Sequence, residues 1–336
     1  MKGKKKIVLV FSIAILLLVT ACLLAIMWGS YTVSPGRILK TFMGNGTKAE
    51  NLAVLQIRLP RMVIALLVGL ALSASGCILQ TVTKNPLAEP GMIGMNAGAA
   101  LAVVGFLSFQ KSVYYDVLTI NNVLFMPLVA MIGGILASIL IFSLAYRRGI
   151  TPVRLILVGI GVNAGINAII SYYMLTSSKG DYNQVLTWTN GSLWGSSWMY
   201  VKLVAPVIIL LLVILYFRSR VLDVLQLGDE MATGLGIKTK KESIFFFFLA
   251  AILAAVATAV AGNIAFLGLL GPQLAKRIVG GRHKLMIPLG GLISAIILIL
   301  ADTASRNLFS PMELPVGIAV SVIGVPYFIY LLIKEK

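Results

Sequence analysis

KGKKKIVLVFSIAILLLVTACLLAIMW, residues 2–28, admits two readings, and the choice between them decides the fold. Lys2, Lys4, Lys5 and Lys6, followed by an apolar stretch that ends in Val19-Thr20-Ala21-Cys22, have the form of a bacterial lipoprotein signal with Cys22 as the acylated residue. A soluble domain would then follow. The apolar run, however, continues through Leu23 to Trp28, about 22 residues in all, which is long enough to cross a bilayer. The remainder of the chain decides for the span. It is 59% hydrophobic and 12% charged, where a soluble protein carries roughly 25% charged residues. That leaves too little polar surface to clothe a globule in water, so the membrane is the solvent of this core.

Outward from this first segment, apolar runs recur to the end of the chain. They lie at residues 7–28, 60–82, 92–109, 121–145, 153–175, 198–217, 243–261, near 264–279, 285–305 and 314–333. The third and eighth are short and punctuated by glycine. The prediction is an all-α polytopic membrane protein of about ten transmembrane helices. The formal net charge of +17 bears on its orientation. With the N-terminus inside, nine basic residues fall outside: Arg37, Lys40, Lys48, Arg58, Arg61, Lys111, Lys179, Lys202 and Arg306. The others of the 28, Arg147 and Arg148 among them, fall inside, a bias of about two to one that follows the positive-inside rule. Both termini are then cytoplasmic, and the basic balance needs no nucleic acid to explain it. In the hydrophilic stretch 176–197, expected outside, Trp188 and Trp194 read as interface anchors.

Several chemistries are unsupported. Cys22 and Cys77 both sit in apolar segments and read as small buried residues, and His283 is the only histidine. No His/Cys metal cluster and no cofactor are expected. No P-loop pattern occurs. Gly159-Ile-Gly161-Val-Asn163-Ala-Gly165 resembles part of a dinucleotide fingerprint, but it lies inside an apolar span with no preceding strand, where close helix contact is the better account.

Four constellations remain. The first is the inner loop 218–242, with Asp223-Val-Leu225-Gln-Leu227-Gly228-Asp229-Glu230-Met231-Ala232-Thr233-Gly234-Leu235-Gly236. Gly228 and the Gly234/Gly236 pair bracket a short helical stretch whose N-terminus Asp229 and Glu230 favour. Leu225, Leu227, Met231 and Leu235 would face a partner or the membrane surface. The second is Gln56-Ile-Arg58-Leu-Pro60-Arg61 at the outer start of the second span, joined at the outer end of the ninth by Arg306. These arginines read either as fixed positive charge for a partner or as snorkelling headgroup anchors. The third is Asn85-Pro86-Leu87-Ala88-Glu89-Pro90-Gly91, on the inner side between spans two and three. Broken backbone of this kind either lines a cavity or makes a plain tight turn. The fourth is Ala301-Asp302-Thr-Ala-Ser305-Arg306, followed by Pro311-Met-Glu313-Leu314-Pro315-Val316-Gly317. Asp302 and Arg306, four apart, share a helix face and read as a structural pair.

Together and in this order, these elements resemble the FecCD-type permeases of ABC importers, which carry iron siderophores, haem or cobalamin. The likeness covers nearly the whole chain. Its most specific pieces are Arg58-Leu-Pro-Arg61, Asn85 to Gly91, Phe266-Leu-Gly268-Leu-Leu-Gly271-Pro272 through Arg277, and Glu313-Leu-Pro-Val-Gly317. The resemblance implies a single permease domain over 1–336 in a bacterial cell membrane. It also implies a second permease subunit, identical or paralogous, two cytoplasmic ATPases and an external substrate-binding protein. By the same resemblance Arg58, Arg61 and Arg306 dock the binding protein. Leu227, Gly228, Asp229, Glu230, Met231, Gly234 and Gly236, in the element 223–236, couple to the ATPase. Asn85 and Leu87 line the path or gate. The chain itself is then no enzyme. Many members have histidine after the proline of the eighth span, where this chain has Gln273, so no role is carried over to that position. An ion-coupled secondary transporter is the main rival. It would usually need coupling carboxylates at mid-membrane, and Asp302, near the outer end of its span, is the sole candidate. A polytopic membrane enzyme is disfavoured by the single histidine and the lack of clustered acids at membrane depth.

Overall fold

Leu59–Val82 carries Gly69, Ser73, Ser75 and Gly76 among its aliphatic residues, and these small positions let other helices approach its backbone. A Cβ on Gly69 would lie 2.6 Å from the backbone of Ala295, and one on Gly76 would collide with the carbonyl of Gly268. Three helices therefore meet at van der Waals distance along one axis, and the rest of the chain is arranged around them.

The computed structural model describes residues 2–29, 31–113, 120–146, 152–176, 185–308 and 313–334. Arg147, Arg148, Lys179 and Pro311, named above, lie outside them. The helices are α1 (Lys2–Met27), α2 (Pro35–Phe42), α3 (Leu59–Val82), α4 (Met95–Val113), α5 (Ile120–Ala145), α6 (Pro152–Thr176), α7 (Trp198–Leu225), α8 (Asp229–Gly234), α9 (Thr239–Ala261), α10 (Leu267–Val279), α11 (His283–Leu308) and α12 (Val316–Lys334). A helical turn at Lys48–Glu50 and a wider π-helical stretch at Asn51–Arg58 run directly into α3. A capping box opens this composite helix: Thr47 Oγ1 accepts from the Glu50 N–H, and a Glu50 carboxylate oxygen accepts from the Thr47 N–H.

The centre of the bundle is α3 with α9, both largely buried, and α3 also contacts α7, α10 and α11. Helix α1 lies on α11, α4 pairs with α5, α6 covers α4 and α5, and α12 closes against α10 and α11. Eight helices among the described residues are long and apolar enough to cross a membrane. The chain is thus an all-α, multi-pass membrane protein. The two segments expected to be short are short: the apolar part of α4 is Met95–Ser108, and α10 has 13 residues. The sixth expected segment, 198–217, is longer than read, since α7 continues to Leu225. That extension turns Leu225 into the bundle, where it is buried, so it does not join the outward-facing apolar set expected for the loop.

Candidate functional site

Helix α3 separates the two ends of the molecule where the predicted residues gather. Arg61 stands at its start and Thr81 at its end; α11 runs antiparallel beside it, with His283 near Thr81 and Asp302 near Arg61.

At the Thr81 end, α8 projects from the short connection between α7 and α9. Gly228 (φ 106°) and Gly236 (φ 84°) flank it in the left-handed region, where a Cβ would be strained. Ala232 is fully buried beneath the element, while Met231 and Leu235, four apart on one face, are 60% and 64% exposed, and Leu227 is exposed beside them. Glu230 is exposed, and Asp229 pairs with Lys84 at 3.1 Å. Gly234 has open space around its Cβ position. The short helix bracketed by glycines is therefore present, and it presents an apolar ridge on a mostly polar turn.

The Asn85–Gly91 loop leaves α3 through Lys84, which itself takes a left-handed conformation. The Asn85 side chain accepts from the Leu87 N–H at 2.9 Å, holding a tight turn, and both residues are partly exposed. From there the loop is fastened to α10. Gln273 donates from Nε2 to the Pro86 carbonyl (2.7 Å) and to Gln80 Oε1 (3.0 Å). Gln80 in turn donates to the Gly268 carbonyl. Gln273, for which the sequence supplied no role, is thus a buried clamp that spends both amide hydrogens on the loop and on α3. The Asn163 side chain reaches from α6 to the Gly91 carbonyl at 3.3 Å. Two motifs that lie far apart in sequence, Asn85–Gly91 and Phe266–Arg277, form one structural unit.

Glu89 completes it. Its carboxylate accepts from the Phe266 N–H at 2.9 Å, at the start of α10, where unpaired donors and the helix dipole favour negative charge. Burial nevertheless dominates and pushes the Glu89 carboxyl up to about 7, with the Phe266 hydrogen bond opposing the shift. For an acid whose pKa is raised on folding, the folded state holds the extra proton. Stability should therefore fall as pH rises from about 4.5 to about 7, and level off above. Thermal unfolding of the purified chain in detergent at pH 5.5 and pH 8 is the check. Glu89→Gln should flatten this dependence, and an unchanged profile would refute the assignment.

At the other end, the arginines are turned inward. Arg58 and Arg61 are only 6% and 7% exposed. Arg58 donates to the carbonyls of Ile26, Met27 and Tyr31, capping the end of α1, whose last carbonyls lack helical partners. Arg61 grips Asp302 Oδ1 through Nε (2.9 Å) and Nη2 (2.8 Å), and Glu313 Oε2 through Nη1 (3.0 Å). Arg306 Nε lies 3.2 Å from the other Asp302 oxygen, an ionic contact without hydrogen-bond alignment. The expected Asp302–Arg306 pair is present, but as one edge of a four-residue cluster. Sequence reasoning treated Arg58 and Arg61 as outward charge because their acceptors lie elsewhere in the chain: carbonyls at the end of α1, and acids more than 240 positions away. The signal that could have found the cluster was the cost of an acid near the end of a span, with arginines due at the same level on a neighbouring antiparallel span.

Comparison with known proteins follows the same lines. The FecCD transport family profile matches residues 16–334. The chain is 43% identical, over 100% of both chains, to the iron(3+)-hydroxamate import system permease protein FhuG of Bacillus subtilis. It is 36% identical to the iron-uptake system permease protein FeuC of the same organism, over 97% of each chain. Identity is again 36% to the ferric enterobactin transport system permease protein FepG of Escherichia coli, over 96% of each. A solved structure described as an inward-facing conformation of a metal-chelate type ABC transporter superposes with a TM-score of 0.84. That match has 27% identity and covers 97% of this chain and 99% of the other. On this match over almost its whole length, the chain belongs to the FecCD transport family.

Proposed function

We propose that the chain is the transmembrane permease subunit of an ABC importer that moves an iron(III)–siderophore complex inward, with hydroxamate chelates as the first class to test. The observation that carries this reading is the 43% identity over the full length of both chains with a hydroxamate import permease. ATP hydrolysis belongs to partner chains. In this proposal α4 and α10 complete ten spans, both termini face the cytoplasm, and the protein lies in a bacterial cell membrane. It works there as one permease domain beside a second permease subunit, an ATPase dimer and an external binding protein. The test is uptake of radioactive iron by cells that lack this chain. Loss of ferric hydroxamate uptake, with ferric citrate and catecholate uptake intact, supports the reading. Loss of a different chelate class reassigns the substrate, and uptake of all classes at the parental rate refutes it.

Within that function, Leu227, Gly228, Asp229, Glu230, Met231, Gly234 and Gly236 seat the permease on the ATPase. The exposed Met231–Leu235 ridge supports this, since apolar surface on a polar turn calls for a partner. Asn85 and Leu87 border the path at its inner gate. Cysteines at either position, in a background lacking Cys22 and Cys77, should react with a polar thiol reagent at rates that change by about tenfold or more between nucleotide states, a shift near 1.4 kcal/mol in accessibility. Equal rates in all states would remove them from the gate.

Arg58, Arg61 and Arg306 belong to the docking site of the binding protein. Glu313 is the replaceable partner, because its side chain is 39% exposed while that of Asp302 is buried. An incoming carboxylate can take the place of Glu313 on the fork of Arg61 without disturbing Asp302.

A further inference from the structure

The only histidine of the chain lies where three helices meet. His283, at the first turn of α11, is fully buried. Asp223 Oδ1, on α7, accepts from the His283 backbone N–H at 2.8 Å and contacts its Nδ1 at 2.7 Å. A carboxylate at that distance makes Nδ1 the protonated nitrogen. The opposite nitrogen, Nε2, lies 2.7 Å from Thr81 Oγ1, on the last turn of α3. One imidazole therefore joins α7, α11 and α3 through both ring nitrogens. The positions that it joins adjoin the two segments to which roles are proposed above. Asp223 precedes the proposed ATPase-coupling helix α8 by six residues, and Thr81 precedes Asn85 of the proposed gate by four. A second contact spans the same gap, Lys84 to Asp229 at 3.1 Å, but both side chains are exposed, so it is screened and contributes little. The far side of the Asn85–Gly91 loop is held to α10 by Gln273, which donates to the Pro86 carbonyl, and by the loop's own Glu89, which accepts from the Phe266 N–H.

We propose that the Asp223–His283–Thr81 chain is the stiff link that carries displacement of the coupling element to the cytoplasmic end of α3, with His283 as a positioning residue for transport. It deepens the coupling role proposed above and rests on it. The link is short and bonded at both ends, with His283 and Thr81 buried and Asp223 partly exposed at its outer end, so movement of α7 at Asp223 is passed to α3 at Thr81 rather than lost in side-chain rotation. A histidine that merely satisfies itself in the core would make the same bonds. The two readings differ in what fails when one bond is removed.

The experiment uses the complete importer, with both permeases, ATPase and binding protein, in proteoliposomes. It measures ATP hydrolysed per iron chelate moved. Thr81→Val keeps the shape and removes the hydroxyl; Thr81→Ser keeps the hydroxyl; His283→Gln shortens the link. Thr81→Val and His283→Gln should assemble with the ATPase and keep its basal hydrolysis, yet raise the ATP spent per transported chelate by about fivefold, the factor that one net hydrogen bond supplies. Thr81→Ser should restore the wild-type ratio. An unchanged ratio in Thr81→Val overturns the link. So does a variant that assembles poorly but transports at the wild-type ratio in the fraction that does assemble, since that is the signature of a purely structural role. Failure of the coupling role itself is separately visible: Gly234→Trp would then transport normally.

Discussion

Gly234→Trp is expected to abolish uptake while leaving the permease folded, inserted and able to bind its external partner. The glycine lies on α8 with open space at its Cβ position and an ordinary helical backbone. A large side chain there meets nothing in this chain, so any loss of function is read at the surface of a partner. Beside it, Met231→Asp places a charge on the exposed apolar ridge. Removing one well-buried apolar anchor from a protein–protein contact costs about 2 kcal/mol or more. ATPase retained on the affinity-purified permease should fall by at least about tenfold, the equivalent of 1.4 kcal/mol. Gly228→Trp is the less informative variant, because its φ of 106° adds backbone strain of about 1–2 kcal/mol in the fold itself. Normal ATPase retention and normal uptake in Gly234→Trp and Met231→Asp together would remove the coupling role from α8.

The second large effect is at the arginine cluster, and burial dictates how it must be tested. Reversing Arg58 and Arg61 to glutamate would place charge against the buried Asp302 and strip the cap from α1, so lost docking would be inseparable from lost folding. Arg61→Met alone leaves two acids facing one arginine, and breaking a buried pair in this way costs about 3–5 kcal/mol. We expect a sharply lowered thermal midpoint. Arg61→Met with Glu313→Gln removes one charge of each sign and leaves Asp302 with Arg306, so much of that stability should return. The double variant then reports on docking alone. If Arg61 receives a carboxylate of the binding protein, the folded double variant should bind it at least about tenfold more weakly, within the range measured for close interfacial charge pairs. Glu313→Gln alone should bind it more tightly than wild type, since Arg61 Nη1 is released from an internal competitor. Unchanged binding in both variants would leave the cluster as a structural brace.

Apolar length and glycine punctuation are local properties, and they were legible. The apolar run does not stop at Cys22, and α1 is one continuous helix from Lys2 to Met27. Glycines at 228, 234 and 236 bracketed a helix that is found at Asp229–Gly234. The shortness of α4 and α10 followed from their broken composition. The extension of α7 was not legible. Its last turns are polar and read as loop, but Ser219, Leu222 and Leu225 are buried against the bundle, and tertiary contact extends the helix past the apolar run.

The site divides in the same way. Motif order along the chain pointed to the family, because proline, glycine and charge at set spacings constrain the backbone locally. What those segments hold was decided by the fold. Gln273 became a clamp only because Gly76 and Gly268 let α3 and α10 touch at backbone distance. Arg61 became an internal residue only because α11 runs antiparallel to α3 and brings Asp302 to its level. Hydrogen bonds and ion pairs depend on distances of about 3 Å, and separations such as the 177 residues between Glu89 and Phe266 or the 252 between Arg61 and Glu313 carry no information at that scale. Membrane residence, the helical class and the glycine-bracketed turn are written in runs and periods of residues. Burial of the arginines, the fastening of the Asn85–Gly91 loop and the joining of three helices at His283 exist only once the helices have found one another.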